Sequence, residues 1–126
     1  MTDTPGTMHI GELGERSGLS LRTLRHYDEI GLVSASGRTE GGFRLYTEDD
    51  YDRLILIRRM KPLGYTLEQM AELLEIIDAL PTASSARDSD LRERLQFFVE
   101  ETIARRGTLR SQLDMADEFL TLLRSR

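Results

Sequence analysis

The pattern of apolar and polar positions predicts two short helices near the N-terminus of the chain. Ile10 and Leu13 lie one helical turn apart ahead of Gly18, so a first helix is expected to end at this glycine. Ser20 is a preferred N-cap and Gly31 a preferred C-terminal residue, which predicts a second helix of about three turns between them. Two short helices joined by a tight turn are typical of a helix-turn-helix.

The second predicted helix has two chemically different faces. At about 100° per residue, Arg22, Arg25 and His26 fall on one side of this helix. Leu24 and Tyr27 fall on the opposite side, so one face is expected to pack and the other to reach outward. Taken alone, this segment is more simply interpreted as a surface helix with solvated arginines. The other segments of the chain are needed to choose between this interpretation and a binding helix.

A β-hairpin is predicted directly after this pair of helices. Its first strand would contain Leu32 and Val33, and a polar, glycine-rich loop leads to a second strand. The two faces of that second strand would be Phe43 with Leu45, and Arg44 with Tyr46. A hairpin in this place is a wing, from which Arg44 could reach a phosphate or the minor groove.

Two further helices have recognisable starts. Thr47 with Asp50, and Thr66 with Gln69, have the spacing of a capping box. Acidic residues in the first turns favour both helices through the helix dipole. The apolar stripes that follow are interpreted as core: Leu54, Ile57 and Met60 in the first helix, and Leu67, Met70, Leu74 and Ile77 in the second.

The C-terminal part of the chain is predicted to be a linker, residues 81–90, followed by a helix over 91–124. Steps of three and four residues along this helix give a heptad seam, interrupted by Thr102 and Arg106. Its apolar members are Leu95, Val99, Leu109, Leu113, Ala116, Leu120 and Leu123. A helix of ~50 Å is too long to bury itself on the small domain at 8–80, so dimerisation is expected rather than folding back.

Charge and composition narrow the function. The net charge is −5, but the segment from Arg16 to Arg44 holds five arginines against three acidic residues, which permits contact with nucleic acid. Cysteine is absent, and the spacing of His9 and His26 does not indicate a metal site, so no metal or other cofactor is expected. No nucleophile with a base and no phosphate-binding glycine loop is recognisable, and the chain is not expected to be an enzyme.

Neither a membrane span nor a targeting signal is expected. No apolar run approaches the ~18 residues of a transmembrane helix. The N-terminal stretch MTDTPGT has neither a basic nor an apolar targeting region. A cytoplasmic location is therefore expected.

Three motifs in order, IGELGERSGLSLRTLRHYDEIGLV, GGFRLYTEDD and LGYTLEQMAELL, resemble the MerR family of bacterial transcription regulators. The match runs from His9 to about Leu74. The resemblance implies a mainly α fold: a winged helix-turn-helix head with a small β-hairpin wing and a two-helix extension, then a long C-terminal helix that forms an antiparallel coiled coil with a second copy. It implies a homodimer that binds double-stranded DNA at a palindromic operator in a long-spacer promoter and regulates RNA polymerase by distorting the DNA.

Carried over position by position, the resemblance assigns DNA contacts to three segments. Arg22 is the candidate for a base contact, because a guanidinium group can pair with a guanine edge. Ser20 could offer its hydroxyl or backbone N–H to a phosphate. The full set is Ser20, Arg22, Thr23, Arg25, His26 and Tyr27 on the second helix, Arg38, Arg44 and Tyr46 in the wing, and Arg53 on the next helix.

The resemblance also bears on regulation and leaves alternatives open. Metal- and redox-sensing members use cysteines near the end of the long helix, so neither a thiol sensor nor a separate ligand domain is expected here. An unidentified small-molecule effector would bind between head and coiled coil near Phe97, Phe98 or Phe119, which are otherwise dimer core. The alternatives are an architectural, excisionase-like DNA-binding protein and a coiled-coil module whose arginine face binds an acidic protein.

Overall fold

The fold is mainly helical, as predicted, and a computed structural model describes residues 6–126 of the chain. The elements are β1 (Thr7–His9), α1 (Ile10–Ser17), α2 (Leu21–Glu29), β2 (Gly37–Arg38), β3 (Arg44–Thr47), α3 (Glu48–Met60), α4 (Leu67–Ala79) and α5 (Ser85–Arg124), with short 3-10 turns at Lys61–Leu63 and Leu80–Thr82. Two compact units are formed, the first ending at Leu74 and the second running over Glu75–Arg126. The prediction that no targeting signal is present concerns the stretch MTDTPGT. Residues 1–5 of this stretch lie outside the described residues.

Helices α1 and α2 form the predicted helix-turn-helix. Gly18 ends α1 with φ 72°, and its N–H donates to the Gly14 carbonyl at 2.9 Å. Ser20 caps α2, because its Oγ accepts a hydrogen bond from the Thr23 N–H at 3.1 Å. A residue in the left-handed region followed at once by a good N-cap makes the turn short, so the direction of α2 is set by local residues.

The segment after α2 ends the helix and does not start the wing, which corrects the prediction for Leu32 and Val33. Their N–H groups donate to the Tyr27 carbonyl at 2.9 and 3.3 Å, and Gly31 adopts φ 75° in a Schellman arrangement. Carbonyl groups at the end of a helix have no partner within the helix. Here the Tyr27 carbonyl binds the N–H groups of Leu32 and Val33, which β-propensity had assigned to a strand. The first strand of the wing is β2 instead.

Strand β3 is the centre of a three-stranded antiparallel sheet in the order β1-β3-β2. The sequence pattern did not predict β1, which pairs Met8 with Tyr46. The predicted second strand is β3, but Phe43 precedes this strand and is 69% exposed, whereas Leu45 and Tyr46 are both buried. Because successive residues point to opposite faces, both sides of β3 are covered, and α1 and α3 contact this strand.

Helices α3 and α4 begin as predicted. Asp50 and Thr47 exchange hydrogen bonds of 2.9 and 3.2 Å, and Gln69 and Thr66 exchange bonds of 2.9 and 3.1 Å, so both capping boxes are confirmed. The predicted core of α3 is buried. On α4 only part of the predicted stripe is buried: Met70 and Leu74 are buried with Leu73 and Ile76, whereas Leu67 and Ile77 are exposed.

Helix α5 begins at Ser85 and not at residue 91. The Ser84 side chain accepts a hydrogen bond from the Arg87 N–H, which caps the helix and makes residues 85–90 helical. The predicted linker therefore shrinks to a short connection. At 40 residues, α5 is about 60 Å long. Within residues 6–126, no helix has the length and apolarity that crossing a membrane requires.

Candidate nucleic-acid interface

The two faces of α2 are separated by burial as predicted. Arg22, Arg25 and His26 are exposed, whereas Leu24 and Tyr27 are 1% and 4% exposed. Arg22 and Arg25 make no ion pair within residues 6–126, so their guanidinium groups are free to bind a ligand. Burial of the Tyr27 side chain raises the pKa of its hydroxyl, which stays protonated at neutral pH.

An open cavity of about 730 Å³ runs along the exposed side of α2. One wall consists of α2 residues, and the other contains Lys61, Tyr65, Leu67 and Met70. Lys61 lies outside the predicted DNA-binding set, because a single lysine beside a proline has no periodic signal. Gly64, at φ 85°, turns the chain there between α3 and α4. Arg22, Arg25 and Lys61 give this cavity a cationic lining, which favours a polyanion.

Asp28 joins α2 to the wing. Its carboxylate accepts hydrogen bonds from Arg44 Nε at 2.7 Å and from the Ala35 N–H at 3.0 Å, and lies 3.7 Å from Arg38 Nη2. Burial opposes ionisation of this carboxyl, but these hydrogen bonds and the two guanidinium charges together lower the pKa of Asp28. The bond to Asp28 in turn raises the pKa of Arg44. This role of Asp28 was not predicted. The sequence indicates it only as one acidic residue on a basic helix.

A second carboxylate fixes the other side of the wing loop. Asp50 is 3% exposed, and besides closing the cap of α3 it accepts a hydrogen bond from Ser36 Oγ at 2.6 Å. The wing is therefore held by Asp28 on α2 and by Asp50 on α3. Arg38 also donates from Nη1 to the Gly42 carbonyl at 2.9 Å, so the guanidinium group braces the hairpin loop.

Tyr46 does not belong to the surface, which corrects its predicted contact with DNA. The side chain is 1% exposed, and its hydroxyl is buried without a hydrogen-bond partner among the described residues. Burial raises the pKa of this hydroxyl. Tyr46 lies on the central strand of the sheet, which α1 and α3 contact, and no local pattern predicted this packing.

The remaining site residues lie at the surface or partly buried. Ser20 is exposed, and its hydroxyl donates to Thr23 Oγ1 at 2.9 Å. Side-chain exposure is 52% for Arg38 and 23% for Arg44. Arg53 is 27% exposed and lies 3.7 Å from Asp49 on the preceding turn of α3. Whether each of these residues contacts DNA stays a prediction.

Most of the predicted dimerisation residues are exposed in the single chain. Val99, Leu109, Leu113, Ala116, Leu120 and Leu123 are exposed, and Leu95 is half-buried. The buried residues of α5 are Leu91 and Phe98, neither of which was placed on the seam. Of the aromatic residues considered for an effector, Phe98 is buried in an edge contact with Phe97, whereas Phe97 and Phe119 are exposed. In the part of the chain that is described, no group of acidic and histidine side chains could hold a metal ion.

The sequence of this chain is similar to those of known helix-turn-helix regulatory proteins. The family model described as "MerR HTH family regulatory protein" matches residues 8–76. The HTH-type transcriptional regulator YfmP of Bacillus subtilis is 36% identical over 124 residues, which cover 94% of this chain and 84% of YfmP. ZntR, an HTH-type transcriptional regulator of Escherichia coli, is 38% identical over 110 residues, covering 86% of this chain and 77% of ZntR. The chain spans about half of the mercuric resistance operon regulatory protein of Bacillus cereus, with 42% identity over 69 residues.

The solved structures agree with the sequence comparison. HiNmlR, a MerR family regulator that lacks the sensor domain and is bound to promoter DNA, superposes with a TM-score of 0.69 and 28% identity, over 91% of this chain and 88% of its own. A MerR family transcriptional regulator from Bacillus cereus gives a TM-score of 0.62 at 27% identity, over 91% of this chain and 75% of that one. These similarities confirm the predicted resemblance and the interpretation that the chain is not an enzyme. The protein belongs to the MerR family of helix-turn-helix regulatory proteins.

Proposed function

We propose that this protein is a transcription regulator whose homodimer binds a palindromic operator in a long-spacer promoter. The observation that carries the proposal is the exposed basic face of α2, bordered by a cationic cavity and by a wing held on Asp28. Its similarity to a MerR family regulator that was solved on promoter DNA supports this proposal.

In the proposed complex, the two parts of the head have different tasks. Arg22 and Arg25 enter the major groove, where unpaired guanidinium groups can bind base edges. The wing arginines bind phosphate, because Asp28 positions them without removing their charge. The proposed DNA-contacting set is Ser20, Arg22, Thr23, Arg25, His26, Tyr27, Arg38, Arg44 and Arg53.

Dimerisation is proposed to occur through the apolar seam of α5, in an antiparallel coiled coil. Large apolar side chains at heptad spacing, such as Leu109, Leu113 and Leu120, are 47%, 61% and 43% exposed in the single chain. A second copy would cover them and would present two heads related by a two-fold axis. A two-fold symmetric protein reads a palindrome, which gives the operator its expected form.

The proposed effect on transcription passes through the shape of the DNA. The dimer would bend and untwist the segment between the promoter elements and so change how RNA polymerase engages them. A regulator of this kind would act in the cytoplasm, where its DNA target lies. A small-molecule effector of the dimer would engage Phe97 or Phe119, the exposed aromatic residues of α5.

The proposal is tested by selecting random duplexes with the purified protein and by footprinting the enriched site in the upstream DNA of its own gene. A palindrome between two promoter elements with a long spacer is the expected result. A dimeric protein that enriches no sequence would contradict the proposal. It would favour an architectural DNA-binding protein or a module that binds an acidic protein.

A further inference from the structure

A second basic concavity, outside the predicted DNA-binding set, lies on one face of α3 and of the 3-10 turn that follows it. It has a volume of about 560 Å³. It is lined by Arg16 of α1 and by Tyr51, Ile55, Arg58, Arg59 and Pro62. On α3, Ile55 follows Tyr51 by four residues and precedes Arg58 and Arg59 by three and four, so these side chains lie on the same side of the helix.

The positive charge of this concavity is only partly balanced. Arg16 is paired, because its guanidinium group donates to the two carboxylate oxygens of Glu48 at 2.6 and 2.9 Å and lies 4.3 Å from the centroid of the Tyr51 ring. Arg58 and Arg59 are exposed and form no ion pair within residues 6–126. Two unpaired guanidinium groups beside one concavity favour a ligand with phosphate groups, which arginine binds in a bidentate manner.

Arg58 lies between this concavity and the turn that precedes α2, the proposed recognition helix. Its guanidinium group lies against Gly18, so that a Cβ added to Gly18 would be 3.3 Å from Arg58 Cζ. The cap of α2, Ser20, follows two residues later. On the other side, Lys61 lines the cavity beside α2, while its neighbour Pro62 lines the second concavity. The two concavities are therefore lined by consecutive residues just after α3.

We propose that Arg58 and Arg59 form a second phosphate-binding surface, which extends the contact of each head along the DNA backbone beyond the bases that α2 reads. This inference rests on the proposed function, since a duplex bound at α2 brings a line of phosphates to the adjoining surface. DNA is favoured over an acidic protein because Arg58 lies against Gly18, in the turn before α2, and because consecutive residues, Lys61 and Pro62, line the two concavities. Arg16 lines the concavity, but Glu48 already balances its charge.

The test is the salt dependence of binding to the selected duplex, for Arg58→Ala, Arg59→Ala and the double variant. Each substitution is expected to reduce the slope of log K against log salt by about 0.9, the amount for one phosphate contact. All duplex sequences should be weakened alike, and the protected backbone should shorten at its outer ends in hydroxyl-radical footprinting. Arg87→Ala, which removes an exposed arginine from α5, is the matched control and should leave slope and footprint unchanged.

Further variants separate a binding role from a structural one. Arg58→Lys keeps the charge beside Gly18 and is expected to retain most of the slope that Arg58→Ala loses. If the double variant folds, keeps the wild-type slope and gives the wild-type footprint, the inference is overturned while the proposed function stands. The inference is also overturned if the double variant keeps wild-type DNA binding and loses only the capture of an acidic protein. A wild-type protein that selects no duplex would instead overturn the proposed function, on which the inference depends.

Discussion

Among single residues, Asp28 has the largest number of consequences for the proposed interface. One carboxylate binds Arg44 and the Ala35 backbone and approaches Arg38, so it ties the wing to α2. An operator phosphate at the wing has to share Arg44 with this carboxylate. The wing arginines are thus preorganised before DNA arrives, which lowers the entropic cost of binding.

Replacement of Asp28 by Asn should lower the free energy of unfolding by about 1 to 3 kcal/mol at pH 7, because the charged partner of Arg44 is lost. The lowered pKa of Asp28 means that its ionised form stabilises the native state at pH above about 4, and that this contribution is lost as the pH falls below the lowered value. The difference between wild type and variant in urea unfolding should therefore shrink below pH 4. Glu40→Gln, at an exposed carboxylate of the hairpin loop outside any helix, is the control and should show no such difference.

Arg22 and Arg44 should differ in the kind of affinity they supply. Arg22→Ala is expected to remove the preference at one symmetric pair of operator positions and to cost ~1 to 3 kcal/mol, because base contacts carry sequence information. Arg44→Ala should weaken all duplexes alike and reduce the salt slope by about one. Binding to a panel of single-base operator variants at several salt concentrations measures both effects. A selective loss for Arg44→Ala, or unchanged preference for Arg22→Ala, would contradict these roles.

At the scale of elements, the helices and the second strand of the wing were predictable, whereas strand β1 was not. Ser20, Thr47 and Thr66 announce helix starts through bonds to residues three positions away, which a sequence shows directly. Strand β1 depends on pairing Met8 with Tyr46 from a distant segment, and no local pattern encodes that pairing. Separation in sequence also limits what could be predicted of the site. The basic face of α2 was predicted from periodicity, whereas the burial of Tyr46, the position of Lys61 and the role of Asp28 depend on tertiary packing.

The end of α2 gives a test of a single backbone conformation. Gly31→Ala should lower the free energy of unfolding by roughly 1 to 2 kcal/mol, because Gly31 adopts φ 75° and a Cβ would meet no neighbouring atom within 4 Å that adds a contact. Gly11→Ala, in α1 with ordinary helical φ and equally open surroundings, should leave stability unchanged or slightly higher. Urea denaturation of the two variants provides the comparison. Equal effects of the two substitutions would contradict the explanation.

At the scale of the whole molecule, the long helix and the head have different requirements. The head has its own core of buried apolar residues from β1 to α4, whereas α5 exposes large apolar side chains over much of its 40 residues. Exposed apolar stripes of this extent are typical of protein interfaces. The proposed regulator therefore has a head with its own core and a dimerisation helix that requires a second copy.

Leu113→Glu should convert the dimer into a monomer. Each dimer would bury two charges on the seam, and at more than about 1.4 kcal/mol per charge the dissociation constant should rise at least about 100-fold. Thr121→Glu, which adds the same charge on the polar side of α5, should have little effect. Sedimentation equilibrium measures both variants, and a Leu113→Glu protein that remains dimeric at wild-type concentrations would place the interface elsewhere. Operator binding should fall together with dimerisation.

The exposed seam of α5 also has a consequence for how the regulator responds to its own abundance. A helix that is covered only by a second copy gains stability by mass action, so its melting temperature should rise with protein concentration. Below the dissociation constant of the dimer, the amount of two-headed species grows with the square of the number of chains. Twofold more protein then gives about fourfold more of the DNA-binding form. The length of one amphipathic helix would thus set a threshold in cellular concentration, below which the promoter stays unoccupied.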